Sequence, residues 1–335
     1  MLSNNYGATI VSLVALAAVV VTGDTCPRGG EGYCSELSLE TLVLAIRNGK
    51  TPEEQERSLR RLALQLRDGD ERLVRPSPQG STASLQAKAV ESGLIETAAR
   101  ALELGTWSAR ASGAEVVHLL TTNNPANRDA LGDVGVIPLL IPLLRAGLSE
   151  EEDGVRACEE AGEALWILAF AGGANSGANH HREHGLHAPE ISDALADVVL
   201  WGKSRKAKMW AAAAFGNLVA AYSSVPSHIS QATRRRILAN HELVAELVRM
   251  ASLGPVGPDV PRDRWAGSAA YTQRQAHEIL PWAALHALKS IALSSFSHEQ
   301  LVDAGAADAG RQNLGSPDWL ENMKSHLLLQ NLGML

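Results

Sequence analysis

A short histidine-rich stretch is the first place in the chain where metal chemistry would be sought. Residues 174–190, ANSGANHHREHGLHAPE, contain four of the eleven histidines beside a glutamate: His180, His181, His184, His187 and Glu183. A continuous helix would bring the imidazoles of residues 180, 184 and 187 close enough to bind zinc. Gly185 interrupts such a helix, and Glu183 does not complete an H-E-x-x-H motif. We predict a polar turn here, with a metal site at His180, His184 and His187 as the alternative.

Other catalytic signatures are absent from the sequence. It has no G-x-S-x-G elbow, no phosphate-binding lysine loop, no C-x-x-C pair and no dinucleotide fingerprint. The acidic run at 150–153 lacks the spaced order of a calcium loop, which indicates an acidic loop between helices. We therefore expect a protein that is not an enzyme and that has no cofactor.

Composition limits the partners further. The chain has 335 residues, 45% of them apolar, and a net charge of −7. A core of useful size is therefore available, but there is no basic surface for nucleic acid. Two short basic runs, 203–208 and 234–236, are expected to be solvated helix starts and loops.

The N-terminus has the pattern of a signal peptide. Residues 8–21 are apolar and uncharged, and they are fewer than the about 20 residues that span a bilayer. We expect a signal peptide at 1–23, a mature chain that begins at Asp24 without a membrane span, and a location in the ER lumen or outside the cell. An uncleaved membrane anchor and a buried first helix are the alternatives. In segment 24–36, Cys26 and Cys34 could form a disulfide in that oxidising compartment, whereas Cys158 is expected to be a buried hydrophobe.

The rest of the chain, residues 37–335, is organised by recurrence. Four times, a polar stretch and a corner glycine follow an apolar helix pattern, at Gly93, Gly135, Gly185 and Gly305. The first two intervals, 42 and 50 residues, are in the range of helical repeats, and the last interval must contain two units. Between the corners lie long helices rich in Ala and Leu, the clearest at 157–171, 208–222 and 279–293. An inserted loop, 253–273, separates the last of these from the helix before it.

These helices share a core motif that resembles the A-L-x-N-L-A motif of the armadillo-repeat family. The three versions are ALWILA at 164–169, AFGNLV at 214–219 and ALKSIA at 287–292. The related HEAT repeat is the alternative. The resemblance implies an all-α solenoid of about four to five repeats, each with a short first helix entered through a glycine corner, a second helix and a long third helix. A degenerate unit, which starts a helix at Thr51-Pro52-Glu53-Glu54, is expected to precede them.

The resemblance also implies that the third helices line a concave groove that binds protein or peptide partners. The asparagine of the motif is present in these three cores only as Asn217, and the preceding tryptophan position holds Glu163, Ala213 and His286. The ladder of nuclear-import receptors is thus missing. The expected groove residues are Glu163, Trp166, Asn217, Trp282, His286 and Lys289. The alternative for the aromatic residues is burial under the next repeat.

We expect a non-enzymatic scaffold for a protein or peptide partner. Armadillo proteins of the secretory pathway also include nucleotide exchange factors of BiP-type chaperones, and this co-chaperone function is a second possibility. A metal-binding protein, using the histidine stretch, is the third. The sequence itself does not identify the partner.

Overall fold

Helices account for the regular structure of the described chain. The computed structural model describes residues 39–49, 51–73, 91, 93–122, 124–170, 185–220, 227–253, 280–316 and 319–335. Fifteen α-helices lie in this part: α1 (Leu39–Asn48), α2 (Pro52–Leu73), α3 (Leu94–Leu104), α4 (Trp107–Thr121), α5 (Pro125–Asp133), α6 (Val136–Ala146), α7 (Glu152–Leu168), α8 (Pro189–Trp201), α9 (Arg205–Val219), α10 (Ser227–Ala239), α11 (His241–Ala251), α12 (Leu280–Ile291), α13 (His298–Asp303), α14 (Ala306–Asn313) and α15 (Trp319–Asn331). A 3₁₀ turn, Ser295–Ser297, precedes α13. The prediction of an all-α fold is confirmed.

The helices stack as successive repeats in two layers. The third helices α2, α4, α7, α9, α12 and α15 each pack on the next, and the second helices α1, α3, α6, α8, α11 and α14 do the same. Buried Leu, Ala and Val side chains of both layers form one continuous core. No single helix pair could bury its apolar face alone, which is why the repeats are stable only as a stack. The described residues contain six such pairs, because the expected degenerate unit (α1 and α2) is fully formed.

The glycine corners lie one helix later than predicted. Gly93, Gly135 and Gly305 have φ of 80°, 76° and 88°, in the left-handed region that favours glycine. Each directly precedes a second helix rather than a first helix; Gly135, for example, joins the first helix α5 to α6. The first helix α5 is instead preceded by the N-cap residue Asn124, whose side chain accepts a hydrogen bond from the backbone N–H of Asn127.

Gly185 is not a corner of this kind. Its backbone is helical, and a Cβ added to it would lie 3.2 Å from Cδ1 of Ile137 in the preceding repeat. The second helix α8 begins four residues later, at Pro189, which suits the first turn of a helix because that position needs no N–H donor. The prediction that Gly185 forms a corner is therefore wrong, and close packing accounts for this glycine. Residues 180–184, which precede it, lie outside the described residues.

Of the predicted surface cations, Arg234 is buried and Lys206 is half-buried. The guanidinium of Arg234 donates from Nε and NH2 to the carbonyl of Val219, over 3.1 and 2.5 Å, and from NH1 to Ser294. It thereby caps the C-terminus of α9. Lys206 lies between the carboxylates of α7. The prediction of solvated basic runs holds for the exposed residues Lys203, Arg205, Arg235 and Arg236. It does not hold for Arg234 or for the half-buried Lys206 and Lys208.

Candidate functional site

The structure brings the six predicted groove residues together in one row across α7, α9 and α12. Three of them are too deeply buried to contact a partner: Glu163, Asn217 and His286 are 4%, 3% and 6% exposed. Trp166, Trp282 and Lys289 are partly exposed. Phe170, at the end of α7, is 42% exposed, and Arg128 lies 5.7 Å above its ring. The row thus combines a buried polar layer with an accessible aromatic and cationic one.

Asn217 joins three third helices. Its Nδ2 donates to the carbonyl of Trp166 on α7 over 2.8 Å, and its Oδ1 lies 2.9 Å from Nε2 of His286 on α12. Because Oδ1 can only accept, Nε2 must carry the imidazole proton. Burial, and then the charges of Lys324 and Lys289, hold the pKa of His286 well below its ordinary value, so the ring is neutral. The side-chain amide of Asn217, which we expected to bind a partner, thus forms its hydrogen bonds within the solenoid.

Two residues that the sequence analysis missed complete this connection. Gly216, beside Asn217, leaves space for the imidazole, because a Cβ there would overlap the ring of His286. Asn331 on α15 occupies the motif position of Asn217 and makes the equivalent bond, from Nδ2 to the carbonyl of Lys289 over 2.9 Å. The signal was present in the sequence as LLQNL, at 328–332. Asn217 is therefore not the only motif asparagine in the chain.

Three tryptophans form a cluster across the same helices. The rings of Trp166 and Trp210 stack with centroids 4.7 Å apart, and Trp166 meets Trp282 edge to face at 6.4 Å. The small side chains at 211–214 on the intervening helix α9 allow this approach. Trp282 also stacks on His286, at 5.7 Å and 12°. Among the described residues, the indole Nε1 atoms of Trp210 and Trp282 have no hydrogen-bond partner.

In the N-terminal part of the third-helix layer, basic side chains lie beside carboxylates. Nε2 of His118 lies 3.4 Å from Glu163, and Arg156 lies 3.4 Å from Glu115. Lys206 lies 3.4 Å from Glu159 and 3.3 Å from Glu160. Burial alone would lower the pKa of Lys206, but Glu160, Glu163 and Glu159 together raise it. This lysine therefore stays charged.

The C-terminal part has two lysines, Lys289 and Lys324, whose pKa values are lowered. Burial and the charge of Lys289 lower the pKa of Lys324 to about 8, and burial lowers the pKa of Lys289. Within the described ranges, neither ammonium group forms an ion pair.

Several predicted features lie outside the described residues. These are the signal peptide 1–23, the segment 24–36 with Cys26 and Cys34, all of the 253–273 loop except Leu253, and His180, His181 and His184. His187 is described, and its Nδ1 lies 3.0 Å from Oγ1 of Thr233. No group of three metal-binding side chains occurs in the described part of the chain, nor does a helix there have the length and apolarity to cross a membrane. These predictions stay untested.

Cys158 has the environment that the sequence predicted. The side chain is fully buried against Gly147, and burial together with the charge of Glu159 raises the pKa of its thiol to about 12. A thiol that stays protonated is a poor nucleophile. Cys158 therefore acts as a small hydrophobe.

Comparison with known proteins identifies the fold. No family model matches the sequence, and no curated protein matches it. Solved structures do match: a designed armadillo repeat protein has 17% identity and a TM-score of 0.61, covering 88% of this chain and 100% of that one. Another, in complex with the peptide (KR)4, has 16% identity and a TM-score of 0.59, with the same coverage. The described chain is thus an α-solenoid with the armadillo-like helical repeat fold.

Proposed function

We propose that this protein is a non-enzymatic scaffold that binds a peptide or an extended segment of a partner protein along its third helices. The observation that carries the proposal is the partly exposed row of Trp166, Trp282 and Lys289, next to an indole N–H without a partner among the described residues. Aromatic and cationic side chains of this kind commonly anchor partners. The peptide bound to a designed protein of the same fold supports the same use of the solenoid.

The buried half of the row has a different part in this proposal. Glu163, Asn217 and His286 hold the third helices in register, so they set the spacing of the exposed side chains rather than contact the partner. Truncating Asn217 would leave the buried Nε2–H of His286 unsatisfied, at a cost of about 1–3 kcal/mol. Variants of Asn217 therefore lower stability and are unsuitable for measuring binding.

Hydrogen exchange with a selected peptide tests the proposal. Peptides are first selected from a random displayed library on the immobilised protein, and amide exchange is then compared with and without the selected peptide. We expect protection in α7, α9 and α12, and weaker binding in Trp282→Ala. The matched control is Trp201→Ala, since Trp201 is 61% exposed on the second helix α8. Protection confined to α6, α8 and α11 would place binding on the second-helix layer. An equal loss of affinity in both variants would also contradict binding along the third helices.

A further inference from the structure

The C-terminal end of the third-helix layer contains a cluster of side chains that the fold does not use. Lys289 and Trp282 lie on α12, seven residues apart and thus on one face. Asn331 of α15 bonds to the carbonyl of Lys289, so the face of α15 that carries Asn331 is turned towards α12. Lys324 precedes Asn331 by seven residues and shares that face. The two ammonium groups therefore lie beside the ring pair of Trp282 and His286.

Several other basic side chains of the third helices lie beside carboxylates. Arg60 lies 2.6 Å from Glu56, Arg156 3.4 Å from Glu115, and Lys206 pairs with two carboxylates of α7. Lys289 and Lys324 are both partly buried, yet neither has a carboxylate partner in the described part of the chain. Glu321, on the same helix as Lys324, accepts a hydrogen bond from Oγ of Ser316 over 2.8 Å. The charge of Lys289 contributes to the lowered pKa of Lys324, so these two partly desolvated like charges repel each other.

The buried ring pair adds directed polar atoms to the cluster. His286 is 6% exposed, and its Nε2–H donates to Asn217. The two ring nitrogens point in nearly opposite directions, so Nδ1 faces away from Asn217 and carries a lone pair. Nδ1 of His286 has no hydrogen-bond partner among the described residues, and neither does Nε1 of Trp282. Both atoms are buried, so the partly exposed lysines are the polar groups of this cluster that a partner can reach.

We propose that Lys289 and Lys324 bind a carboxylate of the peptide partner, so that the protein selects acidic peptides. This inference rests on the proposed function and specifies the partner's chemistry. A carboxylate can accept hydrogen bonds from both ammonium groups. Bound there, it removes the repulsion between the lysines. The carboxylate comes either from an Asp or Glu side chain or from the peptide's C-terminus.

Selection from random peptide libraries tests the proposal. One displayed library has a free C-terminus and the other has its C-terminus fused to the display protein, and both are selected on the full chain. If the site binds a side chain, we expect enrichment of Asp or Glu in both libraries. If it binds the C-terminus, we expect binding peptides only from the library with the free C-terminus. The selected peptides should bind the double variant Lys289→Gln, Lys324→Gln at least about tenfold more weakly. Lys203→Gln, which removes an exposed lysine 3.6 Å from Glu150, is the control.

Each failure has a distinct meaning. Peptides that are selected from both libraries and bind the third helices without acidic enrichment, or that bind the double variant as tightly as the wild type, would overturn the carboxylate site and leave the scaffold function standing. A library from which no peptide is selected would contradict both. The double variant should melt no lower than the wild type, because it removes two unpaired charges; a lower melting temperature would show that the lysines have a structural partner and would also refute the proposal.

Discussion

Replacement of Gly216 by Ala tests whether the Asn217–His286 connection has the geometry described above. The new methyl group would overlap the ring of His286, which is confined by its stacking on Trp282 at 5.7 Å and by its 2.9 Å bond to Asn217. Overpacking costs about 1–3 kcal/mol, and loss of the bond leaves a buried donor unsatisfied at about 1–3 kcal/mol. Alanine recovers about 1 kcal/mol of helix propensity. We expect a net destabilisation of about 1–5 kcal/mol.

Urea unfolding followed by circular dichroism measures this change. The control is Gly113→Ala, a helical position where the nearest atom to an added Cβ is Cβ of Ala101 at 3.2 Å, and we expect a change within about 1 kcal/mol there. In the background of His286→Ala, Gly216→Ala should cost at least about 1 kcal/mol less than it does in the wild type. Equal costs in both backgrounds, or a stable single variant, would refute the proposed contact.

Three further predictions concern the core, the pH dependence and the N-terminus. Leu168→Ala should cost about 2–5 kcal/mol in the same assay, because Leu168 is fully buried, and a neutral result would contradict the repeat alignment. In the unfolded state, histidine has a pKa of about 6.5. In the folded state, burial and the charges of Lys324 and Lys289 lower the pKa of His286, so the ring stays neutral. The unfolded state therefore binds one more proton than the folded state below this pH. Stability should therefore fall as the pH drops below about 6.5, by less in His286→Gln, as urea unfolding at pH 7 and pH 5 would show. Intact mass after expression in a secreting host should correspond to a chain that begins near Asp24, and retention of residues 1–23 would contradict the signal peptide.

Local sequence patterns predicted much of the fold because helical spacing and backbone conformation depend on residues that are close in the sequence. The spacing of Ala and Leu located the third helices α7, α9 and α12, since only a helix brings such residues to one face. Glycine at 93, 135 and 305 predicted corners, because a left-handed backbone excludes most other residues. Gly185 was assigned wrongly for the same reason: the sequence cannot distinguish a glycine required by φ from one required by a neighbour such as Ile137.

The candidate site depended on contacts between distant repeats. The sequence by itself determined that Asn217, Trp282 and Lys289 stand on third helices. Only the tertiary structure decided that Asn217 bonds inside the solenoid while Lys289 is left without a carboxylate among the described residues. That outcome depends on which side chains of helices about 40–70 residues apart meet at the same level of the stack, as between Asn217 and His286. Helical periodicity specifies the face of each helix, but the register between helices comes from packing alone.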